Sequence, residues 1–370
     1  MTNLEYATAE VTGSQARTKT RRRSSRASYA CRVKAVIISV FGGPEVLELR
    51  QVPDPRPSRG EVLIRVGATA VNRADLLQRQ GSYPAPADAP ADIPGLEFAG
   101  LVEAVGDGVA PANLACGDRV FGLCGGGAYA EKIAGPARTV VKMPDGMSFT
   151  EGAAIPEAFI TAWDALVTQG RLAAGETVLI HAAGSGVGTA AIQITRAVGA
   201  RAIGTARTAA KLEQARALGL DHAIVVGAGS RAPGFAQAVM AATDGRGADV
   251  VLDLVGGDYL AEDLSCVATC GRVLLVGLLA GARAELDLRL MLHRRTQITG
   301  TVLRARPLEE KIAAVQGLGR HLVPLLARGT LRPVVDRVLP LASAAEAHEY
   351  VASNVGFGKV VLRVEDDHGG

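Results

Sequence analysis

Apolar residues in the second half of the chain follow two alternating spacings, one typical of buried strands and one typical of helices. Residues 177–181 form a short apolar, β-branched run that predicts a buried strand. Residues 183–188 predict a turn with three glycines, and apolar residues then recur at helical spacing until Gly199. Residues 201–205 predict a second strand. This order predicts the first βαβ unit of a dinucleotide-binding fold, in which free N–H groups at the helix start bind a pyrophosphate.

The same alternation continues as far as residue 303. Six strand-like runs with interleaved helical runs predict a doubly wound parallel sheet, and hence an α/β fold class. Because ligands of such sheets bind at the carboxyl ends of the strands, we expect the cofactor there and the nicotinamide in a cleft between two domains. After the first unit, the strand-like runs are 223–226, 248–254, 271–278 and 296–303, and the helical runs are 211–218, 235–242 and 259–268.

The N-terminal part of the chain has a different pattern, with many short strand-like runs separated by glycine and proline. This pattern predicts an irregular β-barrel-like domain. Two more strand-like runs, 334–338 and 359–364, follow the parallel sheet, and we expect them to return to the first domain. The predicted divisions are an N-terminal extension over 1–32, the β-barrel-like domain over 33–155, a dinucleotide-binding domain over 156–304 and a return segment over 305–370.

Composition adds a few limits. A chain of 370 residues with 48% hydrophobic residues can form two domains with sizeable cores. A net charge of +3 gives no electrostatic reason to expect a nucleic acid, and no apolar stretch is long enough to span a membrane. The five cysteines show neither a disulfide framework nor metal-finger spacing, so we expect a reducing, cytoplasmic setting. Cys266 and Cys270, one helical turn apart, are expected in the core.

The predicted extension, residues 1–32, is rich in arginine, serine and threonine. It lacks a long apolar core, which argues against a secretory signal. We expect a disordered tail or a start codon assigned too early. An organellar transit peptide is the alternative, against which Glu5 and Glu10 count.

The end of the second predicted strand indicates which dinucleotide is bound. NAD sites usually carry Asp or Glu there, whereas NADP sites usually carry a cation for the 2′-phosphate. This chain has Arg207, Thr208 and Lys211, and no acid before Glu213. Because guanidinium, ammonium and hydroxyl groups suit a phosphate, we predict NADPH rather than NADH. A solvated basic loop is the alternative interpretation.

The glycine turn departs from the full G-x-G-x-x-G pattern, whose positions fall on Ala183, Ser185 and Gly188. A tight strand-to-helix connection with no ligand is therefore a second interpretation. Ser185 is not expected to be a nucleophile, since Ala183 stands where a nucleophile elbow needs glycine. His181, at the end of a buried strand, is expected to be a core histidine with satisfied hydrogen bonds.

Several separated motifs resemble one known family. They are A-V-N-R-A-D-L-L-Q-R-Q-G-S-Y-P (70–84), P-G-L-E-F-A-G (94–100), A-A-I-P-E-A-F-I-T-A (153–162), H-A-A-G-S-G-V-G-T-A-A-I-Q (181–193), D-L-V-G-G (253–257) and L-R-A-R-P (303–307). They resemble the zinc-independent quinone oxidoreductases of the medium-chain dehydrogenase/reductase superfamily, and most of all the branch containing the p53-inducible quinone oxidoreductase. The resemblance covers residues 33–364.

The resemblance implies a GroES-like catalytic domain, a Rossmann domain, a homodimer and NADPH-dependent reduction of quinones. Zinc members of the superfamily have G-H-E where this chain has Gly95, Leu96 and Glu97. Because leucine cannot bind zinc, and the cysteine-rich structural lobe is missing too, we expect no metal and no Lewis-acid alcohol oxidation. Val226 stands where many relatives have a tyrosine in the adenine pocket, and Arg207 is the candidate to stack there instead.

Carried over residue by residue, and extended by the strand ends, the resemblance gives a set of predicted site residues. The two predicted catalytic residues, Tyr83 and Asn72, are also placed beside the nicotinamide. The predicted cofactor-binding residues are Asn72, Tyr83, Thr161, Gly184, Ser185, Gly186, Val187, Gly188, Arg207, Thr208, Lys211, Leu254, Gly277, Leu278, Leu303, Arg304 and Lys359.

The roles of these residues leave alternatives. Tyr83 either donates a hydrogen bond or proton to the quinone oxygen or packs over the nicotinamide. Asn72 either orients groups or caps the helix that follows it. Arg304 and Arg306 either line the cleft or are solvated. The second candidate function is reduction of enoyl or alkenal (α,β-unsaturated carbonyl) substrates, and the third is a non-catalytic NADPH-binding or RNA-binding module.

Overall fold

The computed structural model describes residues 32–110, 114–227 and 234–364. The extension predicted over 1–32 lies outside the described residues except for Arg32. Within the described ranges no helix is both long and apolar enough to cross a membrane. The strands are β1 (Arg32–Ile38), β2 (Leu47–Pro53), β3 (Glu61–Val71), β4 (Glu97–Val105), β5 (Arg119–Leu123), β6 (Lys132–Pro136), β7 (Val140–Lys142), β8 (Thr177–Ile180), β9 (Arg201–Ala206), β10 (His222–Val225), β11 (Ala248–Asp253), β12 (Val267–Leu275), β13 (Gln297–Gly300), β14 (Val335–Pro340) and β15 (Lys359–Arg363).

Helices connect these strands and cover the parallel sheet. Two π-helical segments, Asp164–Gln169 and Leu318–Leu322, extend the ends of α3 and α9. The helices are α1 (Arg73–Arg79), α2 (Phe149–Ala153), α3 (Pro156–Trp163), α4 (Gly186–Val198), α5 (Ala209–Arg216), α6 (Ala236–Ala242), α7 (Asp258–Cys266), α8 (Leu288–Arg294), α9 (Leu308–Gly317), α10 (Val323–Ala327) and α11 (Ala344–Ser353).

The second half of the chain forms a six-stranded sheet in the order β10-β9-β8-β11-β12-β13, and every pair in it is parallel. The central strands β8 and β11 read as near-continuous apolar runs because helices cover both of their faces. The predicted doubly wound parallel sheet and the α/β fold class are therefore confirmed.

The first part forms a largely antiparallel sheet in the order β14-β15-β3-β4-β5-β7, with β6 on β3 and the hairpin β1–β2 beside it. The late strand β15 pairs with β3, so the chain comes back to this sheet after leaving the parallel one. The domain limits given above stay a prediction. This return matters for the site, because it carries Gly358 and Lys359 back to the glycine turn.

Three details differ from the sequence-based expectation. The strand predicted over 296–303 ends at Gly300, so Leu303 and Arg304 lie in the connection that follows the sheet. The helix predicted over 259–268 ends earlier, at Cys266, and strand β12 begins at Val267. Cys266 is fully buried, but Cys270 is exposed on β12, so the expectation that both are core residues is wrong for Cys270.

Candidate active site

The glycine turn lies between the buried strand β8 and helix α4, as the sequence predicts. Ser185 is the N-cap of α4, and its hydroxyl accepts a hydrogen bond from the Gly188 N–H at 3.0 Å. A Cβ on Gly188 would collide with the carbonyl oxygen of Ala182. Helix and strand thus approach too closely for any side chain at this position. The helix N-terminus presents the positive end of its dipole, which suits a diphosphate.

The return strand holds this turn from the other side. The Gly358 N–H donates to the Gly184 carbonyl at 2.9 Å, and Ser185 forms an isolated parallel bridge with Gly358. A Cβ on Gly186 would lie 2.5 Å from Cδ of Lys359, so the lysine stem covers this glycine. Since β15 is hydrogen-bonded to β3, the predicted phosphate turn is fixed directly to the antiparallel sheet.

A buried ion pair lies next to this contact. Lys359 Nζ is 2.7 Å from Oε1 of Glu97, and it also donates to Asn72 Oδ1 at 2.6 Å and to the Val71 carbonyl at 3.1 Å. Asn72 Nδ2 donates to the same Glu97 oxygen at 2.8 Å. The second Glu97 oxygen accepts the Glu157 N–H at 2.8 Å. Every proton of the ammonium and both carboxylate oxygens have partners, which is the condition for keeping such a pair buried.

Asn72 is therefore oriented by two charged groups on different strands. It also occupies the N-cap position of α1, and its backbone N–H donates to Asp75 Oδ2 at 2.8 Å. Both expectations for Asn72 are thus compatible with its position. The side-chain amide bonds to Lys359 and Glu97 and to the Ala70 carbonyl.

Asp75 starts a second buried network behind Asn72. Its carboxylate accepts from the Gly95 N–H at 3.1 Å and from the Tyr129 hydroxyl at 3.3 Å. Tyr129 is also 3.2 Å from His348 Nε2 on α11. Burial raises the pKa of Asp75 to about 6 and lowers the pKa of His348 to about 3. Burial therefore favours the neutral form of each group, although a carboxyl with this pKa is still mostly ionised at pH 7.

Helix α3 presents two polar atoms that have no hydrogen-bond partner among the described residues. They are Glu157 Oε2 and Thr161 Oγ1, one turn apart on the same helix face, and both atoms are buried. Thr161 was predicted beside the nicotinamide, whereas Glu157 was not predicted as a site residue. Burial raises the pKa of Glu157 to about 8, helped by the negative charge of Glu97.

Tyr83 and Arg304 are brought together from distant parts of the chain. The Arg304 guanidinium lies 5.4 Å from the Tyr83 ring centroid, and it donates to the carbonyls of Gly125 and Tyr83 and to Gln78 Oε1. Arg304 is buried, so of the two expectations the solvated one is wrong. Tyr83 is half-buried, and burial raises the pKa of its hydroxyl above the usual value of 10.0.

Two strand ends of the parallel sheet meet at Leu254 and Gly277. A Cβ on Gly277 would collide with the Leu254 carbonyl oxygen, so this crossing requires glycine. Asp253, fully buried, accepts the N–H groups of Val255 and Gly256 at 2.8 Å each and fixes the loop after β11. Leu254 and Leu303 are both buried and belong to the same hydrophobic core, whereas the side chain of Leu278 is 54% exposed.

Three cations converge at the end of β9. Lys211 Nζ donates to the Asn354 carbonyl at 2.6 Å, Arg207 reaches the same oxygen at 3.4 Å, and Arg73 donates to Asn354 Oδ1 at 2.5 Å. Burial and the charge of Arg207 lower the pKa of both Lys211 and Arg73. The three positive charges therefore repel one another, and an anion placed between them would be favourable. Thr208, the N-cap of α5, is exposed beside them.

His181 has a structural role. It is fully buried, with Nε2 2.8 Å from Asp263 Oδ1 and Nδ1 2.9 Å from Thr205 Oγ1. Burial lowers its pKa, but the charge and hydrogen bond of Asp263 outweigh this effect, so the pKa is raised. The expectation of a satisfied core histidine is confirmed.

The residues that sequence reasoning missed are mostly charged groups whose partners come from remote segments. Glu97 and Glu157 both lie in quoted motifs, yet spacing alone does not show that one binds Lys359 and that the other is buried without a partner. Arg73 joins the cation cluster only because α1 lies against the end of α11. For Glu97 a signal was present, since a charged residue inside an apolar motif usually has a buried partner.

Comparison with known proteins identifies the family. Residues 58–145 match the alcohol dehydrogenase GroES-like domain, and residues 186–317 match the family described as zinc-binding dehydrogenase. The quinone oxidoreductase of Homo sapiens is 34% identical over 335 residues, which cover 89% of this chain and 97% of that protein.

Solved structures agree with this assignment. The quinone oxidoreductase of Pseudomonas syringae pv. Tomato DC3000 is 32% identical with a TM-score of 0.80, and the match covers 90% of this chain and all of that chain. A mycobacterial protein solved in complex with NADPH is 29% identical with a TM-score of 0.79 and the same coverage. The chain belongs to the quinone oxidoreductase family of the medium-chain dehydrogenase/reductase superfamily, and it is an oxidoreductase with a GroES-like domain, a Rossmann-type domain and a nicotinamide cofactor.

Proposed function

We propose that the protein reduces quinones with NADPH and without a metal ion. The observation that carries the choice of NADPH is the convergence of Arg73, Arg207 and Lys211, for which the described residues provide no carboxylate at ion-pair distance. The negative charge of Asp336 opposes the lowering of the Lys211 pKa but does not cancel it. A 2′-phosphate would neutralise this cluster, whereas NADH has no charged group to place there. The mycobacterial neighbour solved with NADPH supports the same choice.

The glycine turn fits the rest of the cofactor. Gly188 and Gly277 admit no Cβ because each packs against the backbone of a neighbouring strand end, which fixes the shape of the two turns proposed to border the cofactor. In this proposal residues 184–188 hold the diphosphate, Lys211 and Arg207 hold the 2′-phosphate, and Thr161, Leu254 and Leu303 border the nicotinamide. When bound, the nicotinamide supplies the hydride; the protein supplies its position and the surrounding charges.

A zinc ion does not fit the residues present. Glu97 is the carboxylate at the superfamily's zinc motif, and both of its oxygens are occupied by Lys359, Asn72 and the Glu157 N–H. Leu96 offers no ligand atom, and the described residues contain no group of three or more His, Cys, Asp or Glu that could hold a metal ion. The chemistry therefore has to suit acceptors that take a hydride readily, such as quinones.

Tyr83 is the proposed hydrogen-bond donor to the acceptor oxygen. Its hydroxyl is protonated at neutral pH, since burial raises its pKa from an ordinary value that is already 10.0, and the Arg304 guanidinium lies over one face of the ring. Asn72, held by Lys359 and Glu97, orients the bound groups rather than transferring a proton. This arrangement pre-positions a donor without a strong acid, as reduction of a quinone requires.

We also propose a homodimer formed through β13. This strand is the last of the parallel sheet in the described residues, and an unpaired edge invites pairing with another chain. Large apolar side chains around it are exposed between 53% and 78%, which is unusual for a surface that stays in water. They are Leu278, Leu279, Leu288, Leu292 and Val302. A cytoplasmic location stays a prediction from cysteine content.

The second candidate is an enoyl or alkenal reductase, and the protonated Glu157 favours it as a possible acid for an α-carbon. A steady-state screen distinguishes the candidates. NADPH and NADH are each paired with 1,2-quinones, 1,4-quinones and α,β-unsaturated carbonyls. We expect NADPH oxidation with quinones, unaffected by chelators. Turnover of unsaturated carbonyls alone would favour the second candidate, and NADPH binding without turnover of any acceptor would favour a non-catalytic module.

A further inference from the structure

Glu157, in the first turn of helix α3, has a buried carboxyl oxygen that lacks a hydrogen-bond partner among the described residues. Its backbone N–H is used, donating to Glu97 Oε2 at 2.8 Å, but its own Oε2 is buried without a hydrogen-bond partner among the described residues. A buried carboxyl oxygen left in this state costs free energy, so a folded protein rarely keeps one without a use. Thr161 Oγ1, one turn along the same face, is in the same state.

The groups that surround Glu157 come from five other parts of the chain. Glu97 and Asp75 are acidic, Lys359 and Arg304 are basic, and Tyr83 is the phenol whose pKa the charge of Glu157 helps to raise. These are the predicted catalytic and nicotinamide-side residues and their immediate partners. Glu157 is therefore joined to the residues proposed around the acceptor by its backbone contact with Glu97 and by their mutual charges.

The carboxyl is in its acid form at neutral pH. Burial raises the pKa of Glu157 to about 8; Glu97 and Asp75 add to the shift, whereas Lys359 and Arg304 oppose it. A phenol such as a hydroquinone has a pKa of about 10, so a proton passes to its anion downhill from Glu157. Tyr83 is a poorer source, because its own pKa lies above the usual value of 10.0.

We propose that Glu157 is the proton donor that completes reduction of the acceptor, an inference that rests on the proposed function. After the acceptor quinone has taken a hydride, it is a hydroquinone monoanion. The O–H bond of the Glu157 carboxyl breaks, and a phenolic O–H bond forms on the oxyanion, to which Tyr83 donates a hydrogen bond. Water then returns a proton to the carboxylate. For an unsaturated carbonyl the same proton would go to the α-carbon of the enolate.

Glu157→Gln tests this proposal, since it keeps the size of the side chain and removes the acid. We expect kcat with a 1,4-quinone to fall about 100-fold, with the affinity for NADPH unchanged. In the wild type, kcat should fall as pH rises through about 8, the pKa of the carboxyl. The variant should lose this limb of the pH profile and its solvent deuterium isotope effect, and Glu157→Asp should restore the limb.

Two further measurements keep the result unambiguous. Infrared difference spectra of the cofactor-free protein should show a protonated carboxyl at pH 7 that disappears in Glu157→Gln. Glu309→Gln, which removes an exposed carboxylate paired with Arg138, should leave kcat and the pH profile unchanged. Full activity of Glu157→Gln with an unchanged pH profile would overturn the inference alone. A wild type that reduces no acceptor would remove the proposed function, and this inference with it.

Discussion

Lys359 and Glu97 form a buried ion pair, with Nζ and Oε1 2.7 Å apart, between two strands of the antiparallel sheet. Glu97 begins β4 in the antiparallel sheet, while the stem of Lys359 covers Gly186 at the start of α4. The pair therefore sets the distance between the glycine turn and Asn72. A change in it should affect stability and cofactor binding together.

Lys359→Met should destabilise the protein by about 3–5 kcal/mol, because it leaves the Glu97 carboxylate buried without its counter-charge. The double variant Lys359→Met/Glu97→Gln should lose clearly less than the sum of the two single changes, since neither charge is then unpaired. Urea denaturation of the four proteins measures both quantities. Additive losses would show that the two residues do not stabilise each other.

Gly188→Ala should weaken NADPH binding and cost about 1–3 kcal/mol of stability, because the new Cβ can fit only if the backbone of Ala182 and Ala183 moves. Fluorescence titration with NADPH and thermal unfolding are the measurements. Gly135→Ala is the matched control: a Cβ there meets nothing within 4 Å, so we expect binding as in the wild type. Normal NADPH affinity in Gly188→Ala would contradict the proposal that the shape of this turn determines cofactor binding.

The fold could be predicted from sequence because its signals are local. Each strand of the parallel sheet is a short apolar run, and each break between strand and helix has a glycine or a cap such as Ser185. Boundaries were less certain. The end of helix α7 was predicted two residues too late, because Val267 and Ala268 suit a buried helix or a buried strand equally well.

The site could be predicted only in part, because its charged residues find their partners across the fold. Lys359 was predicted from a G-K run, but its contacts with Glu97 and Asn72 join positions far apart in sequence. The burial of the Glu157 Oε2 atom depends on the packing of α3 against β4, which no spacing in the chain reveals. Local pattern thus predicts the scaffold, while tertiary contacts decide the electrostatics.

Lys211→Gln should raise the Kd for NADPH at least about 10-fold, the loss of one charge-assisted contact with a phosphate, and leave the Kd for NADH nearly unchanged. Titration of both cofactors at two salt concentrations measures this, and the salt dependence for NADPH should become weaker. Lys34→Gln, which removes an exposed cation paired with Glu131, is the control. Equal losses for NADPH and NADH would mean that Lys211 stabilises the fold rather than recognising the 2′-phosphate.

Leu292→Arg should shift the proposed dimer to monomer. Leu292 is 78% exposed on α8, beside the unpaired edge of β13, so a charge there would be buried at the interface without a partner. Sedimentation velocity measures the change, and unfolding of the variant should show an intact fold, because the side chain packs on nothing in the single chain. Val338→Arg, exposed on β14 of the other sheet, should keep the oligomeric state of the wild type. A wild type that sediments as a monomer would overturn the dimer.

Glu157 should make the protein less stable as pH rises, and Glu157→Gln should remove this dependence. The folded-state pKa of about 8 lies above the ordinary value of 4.5, so between these values the folded protein binds more protons than the unfolded chain. The free energy of unfolding therefore falls with rising pH across this window and is lowest above pH 8.

Two other buried groups also change the stability with pH. His348 acts in the opposite sense, because the folded protein loses stability as the pH falls below the ordinary histidine pKa of 6.5. Asp75 contributes only below about pH 6. The difference between wild type and Glu157→Gln cancels both, and urea denaturation from pH 5 to 8.5 should show the variant gaining about 2–4 kcal/mol relative to the wild type. If the free energies of unfolding of the two proteins differ by the same amount across this range, Glu157 is ionised throughout and its ionisation does not destabilise the folded protein.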